Sequence, residues 1–131
     1  MKKGYKNNIE RLTVSNEDFR RVLYTGENSQ LVLMSLLPNE DIGAEVHEEN
    51  DQFFRFEKGR GVVVINDTEY EVEDGDAVVV PRGARHNVIA GEEGLKMYTI
   101  YSPAHHKDGI VRKTKIEAEQ NEAEFDGVTT E

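Results

Sequence analysis

From residue 29 onward, apolar residues recur with a period of two in short runs, broken by turn signals every ~8–12 residues. Residues 29–37 (SQLVLMSLL) form the first run and stop at the turn pair Pro38-Asn39. In residues 42–47 alternation puts Glu45 and His47 on one face and Val46 on the other. Gln52, Phe54 and Phe56 share a face, opposite Phe53, Arg55 and Glu57. A turn flanked by Gly59 and Gly61 then leads into a hairpin, 62–66 and 68–73, around Asn66-Asp67. Residues 77–81, 85–90 and 95–103 supply further strands, separated by turns at Asp74-Gly75, Arg82-Gly83 and 92–94. Pro38, Pro81 and Pro103 stand at strand ends, where a missing N–H does no harm. Eight to ten short strands in this rhythm predict an all-β sandwich or barrel.

The flanks read differently. Residues 1–14 are polar and predict an extended arm, with a short strand at 9–14 (IERLTV). Residues 15–26 (SNEDFRRVLYTG) predict a helix: Ser15 as N-cap, Asp18 three residues on, and Gly26 as the stop. Phe19, Val22 and Leu23 would share its packed face. Beyond Pro103 a loop carries His105 and His106, and residues 113–125 predict a helix with a thin apolar face that needs docking to be ordered. The chain thus divides into an arm and helix (1–28), a barrel (29–104) and a helical, acidic tail (105–131).

Composition narrows the classes. The 131 residues suit one domain, with 37% hydrophobic and 32% charged residues and a formal net charge of −10. Much of the charge sits in 113–131, which holds two lysines against six acids. An acidic balance argues against nucleic-acid and anionic-membrane partners, which call for clustered Lys and Arg. With no cysteine there are no disulfides, thiolate ligands or thiol nucleophiles. No signal-peptide pattern or membrane-spanning run stands out, so a cytoplasmic location is expected. The sequon at Asn66 carries no weight without secretion.

The chemistry centres on four polar residues that strand parity turns inward: Glu45, His47, Gln52 and His86. Buried without partners, such groups cost several kcal/mol each. A shared metal ion removes that cost, and so do mutual hydrogen bonds or pocket water. Phe54 and Phe56 share the parity of Gln52 and are expected to wall the pocket, and of Tyr98 and Tyr101 only one can line it. His105 and His106 read either as a lid or as an acid/base behind the site, or else as an exposed loop or a contact for the C-terminal tail; the second is favoured.

The two halves of residues 43–90 resemble the cupin superfamily. The second cupin motif is matched by Gly75, Pro81, Gly83 and His86, with Ala90 where the family has Asn. The first aligns on Gly59, placing Gln52 in the glutamate position, His47 in that of the second histidine and Glu45 in that of the first. The resemblance implies a double-stranded β-helix (jelly-roll barrel) and a divalent metal held by Glu45, His47, Gln52 and His86. A shifted register would use Glu49 in place of Glu45. Two histidines with a carboxylate suit iron and also Mn, Ni or Zn. One carboxylate on an M²⁺ ion leaves about +1 of charge, which favours an anionic or enolate-forming substrate. Nearly the whole chain looks like a group of small single-domain bacterial cupins. This implies a homodimer and a small-molecule ligand. The expected activity is metal-assisted, isomerase- or dioxygenase-like, on a small polar or carbohydrate-like molecule. The alternative is a non-catalytic binding module.

Overall fold

In the computed structural model, which describes residues 1–131, two long antiparallel strands form the spine of the molecule. They are β4 (Asp51–Ile65) and β7 (Arg85–Ser102). Around them lie β1 (Arg20–Thr25), β2 (Gln30–Leu36), β3 (Glu45–Val46), β5 (Thr68–Glu73), β6 (Ala77–Val80) and β8 (Val111–Arg112). The first half of β4 pairs with β6 and with the second half of β7, which continues through β2 to β1 and β8. The second half of β4 pairs with β5 and with the first half of β7, which in turn takes β3 on its other side. The spine therefore passes from one sheet to the other, and the two layers close as a jelly roll over Val32, Met34, Phe54, Phe56, Val63, Val88 and Met97, all without solvent exposure.

The corner where β4 changes sheets replaces two expected turns. Gly59–Gly61 and residues 92–94 are bends inside β4 and β7, with ladder irregularities at Phe56/Lys58 and Gly59/Gly61. Glycine is required there by contact. A Cβ on Gly59 would lie 2.2 Å from the Gly94 carbonyl oxygen, and one on Gly61 would lie 2.4 Å from that of Ile89. Glycine signals breaks in a pattern, but here it marks close approach of two backbones. The hairpin at Asn66-Asp67 forms as expected, with Ile65 opposite Thr68 and Asn66 at φ 52°.

The N-terminal assignments exchange places. The helix is α1 (Ile9–Ser15), with Asn8 as its N-cap accepting from the Arg11 N–H at 2.9 Å. The stretch expected to be helical is β1. A bulge between Val22 and Tyr24 leaves Val22 and Thr25 both buried, an i, i+3 spacing that imitates a helical face. The C-terminal helix is shorter than expected: α2 (Lys115–Gln120), capped by Thr114. The chain beyond it docks on the barrel. Lys107 N–H donates to Ala123 O (2.9 Å), Phe125 N–H to His105 O (3.0 Å) and Thr130 N–H to Thr25 O (2.9 Å). Glu131 accepts from the Tyr24 hydroxyl at 2.7 Å and from the Gly4 N–H at 2.9 Å, joining both termini to one side of the barrel. No helix is long and apolar enough to cross a membrane.

Candidate metal centre

Glu45 and His86 face each other as paired residues of β3 and β7, and His47 follows two residues along from Glu45, on the same side. The Gly83 N–H donates to the His47 carbonyl at 2.9 Å, holding the segment after β3 against the loop before β7. One donor atom from each of Glu45, His47 and His86 lies within 4.8 Å of the other two. His47 and His86 are buried, and Glu45 keeps about a third of its side chain exposed (32%), reaching into the cavity described below. Glu49 is exposed and stands outside this group, so the shifted register finds no support in the geometry.

Three details bear on whether these residues fit a metal ion. His47 Nε2 approaches Glu45 Oε2 to 3.0 Å, yet it is buried without an aligned hydrogen-bond partner. An imidazole nitrogen and a carboxylate oxygen this close pair with each other in the metal-free protein and converge as a cation would need. His86 Nδ1 lies 3.2 Å from the Ala84 carbonyl. A carbonyl only accepts, so Nδ1 carries the proton and Nε2 keeps its lone pair for a ligand. Gln52, 2% exposed on β4, donates from Nε2 to the Thr99 hydroxyl at 3.0 Å, while its buried Oε1 has no partner. That oxygen is a spare neutral donor. The residues present fit a divalent ion bound by two imidazoles and a carboxylate.

Electrostatics agree. Burial works to raise the Glu45 carboxyl, but the contact with His47 and the charges of His47, Arg20 and His86 outweigh it and hold it below the ordinary value. Burial also pushes the His86 imidazole down, an effect partly offset by the Ala84 carbonyl and the charge of Glu45. A carboxylate beside a neutral imidazole is the protonation state that metal ligation requires.

Phe54 packs against His86, ring centroids 6.3 Å apart, and Phe56 stacks on Phe54 at 6.1 Å as part of the core. Tyr101 points inward, 5.6 Å from the His47 ring, whereas Tyr98 pairs with Phe53 on the other side of the sheet. Of the two alternatives in the favoured expectation for the histidines after β7, contact with the tail is met, through the bridge from His106 to Glu124, and exposure is not. His105 is half-buried with its ring 4.4 Å from that of His47, and His106 is buried with Nε2 3.2 Å from the Tyr101 hydroxyl. Gln30 holds this bend: its Oε1 accepts from the backbone N–H of His105 (3.1 Å) and His106 (3.0 Å), and its Nε2 donates to His106 O at 2.7 Å. Burial lowers His105 to about 4, with the charges of His47 and Arg20 adding to it and Glu45 opposing. Burial likewise keeps His106 far below the ordinary value and the Tyr101 hydroxyl well above it. Parity reasoning stops where the last strand ends, so the return of residues 105–106 to the centre has no local signal. Arg20 was missed for a different reason: it opens the bulged strand β1, whose spacing imitates a helix.

A small jelly roll with two histidines and a carboxylate converging from β3, the segment after it and the start of β7 defines the class. The chain belongs to the cupin family: residues 32–101 match the model described as "Cupin domain". It is 46% identical over 118 residues to YrkC of Bacillus subtilis, covering 85% of this chain and 63% of that protein. A protein of Acanthamoeba polyphaga mimivirus is 43% identical over 112 residues, covering 82% of this chain and 70% of the relative. The chain therefore spans about two thirds of the length of the curated relatives it matches. Among solved structures, a Bacillus halodurans protein superposes with a TM-score of 0.89 at 40% identity, covering 91% of this chain and 96% of that one.

Proposed function

We propose that this cupin is a metal-dependent enzyme acting on a small polar molecule by isomerase- or dioxygenase-type chemistry. The observation that carries the reading is the convergence of one donor atom from each of Glu45, His47 and His86 within 4.8 Å, with His47 Nε2 and Glu45 Oε2 3.0 Å apart. Glu45, His47 and His86 would hold the ion, with Gln52 Oε1 as a further oxygen donor. When bound, the ion acts as a Lewis acid that polarises a substrate oxygen. The chain's own residues do the remainder. Ala84 fixes the proton on His86 Nδ1. Phe54 shields the His86 ring on its core side. His105, neutral at pH 7, can accept a proton, and Tyr101 keeps its own. A cytoplasmic setting and a homodimer complete the proposal. The homodimer is proposed because pairing would cover the exposed edges of the sheet.

Elemental analysis and activity assays test this reading. Iron-, manganese-, nickel- and zinc-loaded protein would be assayed for oxygen uptake with diones and catechols and for isomerisation of small hydroxy-carbonyl compounds. Turnover that needs the metal and is abolished in His86→Ala is expected. Bound metal with no turnover in any form favours a non-catalytic binding module.

A further inference from the structure

Arg20 opens β1 and lines a cavity of about 160 Å³ together with Glu45, His105, His106, Lys115 and Glu124. The cavity lies between the barrel and α2 with the chain that follows it, and Lys115 is already engaged by Asp41 at 2.6 Å. Arg20 is not engaged. None of the chain's ion pairs or side-chain hydrogen bonds uses its guanidinium, although Glu45, Glu119, Glu122 and Glu124 line the same space. Its Nε is shut off from solvent with no hydrogen-bond partner. A guanidinium carries five donors in a planar fork that matches a carboxylate, and a sealed N–H without a partner is a standing cost. Its guanidinium carbon lies over the face of Phe19, with Cζ 5.3 Å from the ring centroid.

We infer that Arg20 anchors a carboxylate of the molecule bound in this cavity, so that the ligand extends from Arg20 toward the Glu45–His47–His86 group. The second half of the statement rests on the metal-centre reading proposed above; the first half does not. Size narrows the class. A cavity of this volume holds a group of roughly benzene size, which suits a short hydroxy- or keto-acid better than a nucleotide. Charge narrows it further, because the four glutamates disfavour a phosphate dianion more than a singly charged carboxylate. Arg20 also reaches the centre electrostatically, since its charge bears on Glu45, Tyr101, His105 and His106.

The test is calorimetric titration of wild type, Arg20→Met and Arg20→Lys with pyruvate, glycolate and lactate, with neutral lactamide and with inorganic phosphate. Each titration is run on metal-free and on zinc-loaded protein. Arg20→Met should weaken carboxylate binding about tenfold or more and Arg20→Lys less, with lactamide binding and zinc stoichiometry unchanged. Carboxylate affinity that survives Arg20→Met overturns the inference while leaving the metal centre standing. So does a wild type that binds none of the three acids, or one that binds phosphate more tightly than all of them. If wild type takes up no zinc, the metal reading fails by itself and the Arg20 contrast is read in metal-free protein. Should Arg20→Met not fold, Arg20→Lys carries the contrast, because it keeps charge and length and loses only the fork.

Discussion

At the scale of single residues, some of the candidate donors are oriented by neighbours and some keep a polar atom free. His86 is oriented by the Ala84 carbonyl and Gln52 by Thr99, while His47 and Gln52 each leave one buried polar atom without a partner. Gln52 is the informative exchange, since the family pattern has a glutamate there. Gln52→Glu should lower the stability of metal-free protein by ~1–3 kcal/mol, because it buries a second carboxylate. With zinc present the order should reverse, the variant showing a larger metal-induced rise in Tm than wild type. Thermal melts with and without zinc measure both. The convergence of Glu45, His47 and His86 was legible because motif spacing and strand parity both pointed to them. His105, His106 and Arg20 were not, because they come from a loop past the last strand and from a strand that reads as a helix.

At the scale of elements, the sheet was legible where its pattern is regular and obscured where backbone irregularity changes the period. The bulge in β1 turned a strand into an apparent helix. The glycines of β4 and β7 turned two continuous strands into four apparent ones. These glycines differ in what they need. Gly59 combines φ +94° with a Cβ position 2.2 Å from the Gly94 carbonyl oxygen, whereas Gly127, at φ +87°, has open space around it. Gly127→Ala should cost ~1–2 kcal/mol from backbone conformation alone. Gly59→Ala should cost more, on the order of 3 kcal/mol or above, because the corner must also move. Urea unfolding of the two variants separates these effects; equal losses would mean that close approach at the corner is not what selects glycine.

At the scale of the whole molecule, buried imidazoles tie stability to pH. His106, buried against Tyr101, is kept neutral chiefly by desolvation, with the charges of Arg20 and His105 adding to it. Its folded value lies below the unfolded one, so more protons bind to the unfolded chain in between. The stabilisation is therefore complete above the unfolded value of ~6.5 and is lost as pH falls below it, by up to ~1.4 kcal/mol per pH unit. His86 and His105 act in the same direction. Urea midpoints at pH 7.5, 6 and 5 should fall steadily, and His106→Gln should flatten the slope. The expected homodimer is checked by sedimentation, where a single species near 14.9 kDa would contradict it.

The central claim is that Glu45, His47 and His86 form one metal centre, and metal content tests it most directly. Protein purified without added chelator, and protein dialysed against zinc or manganese, should each carry close to one divalent ion per chain. His47→Ala and His86→Ala should remain folded and lose that ion. Folded wild-type protein that takes up no stoichiometric metal at any loading, or variants that keep it, would contradict the account.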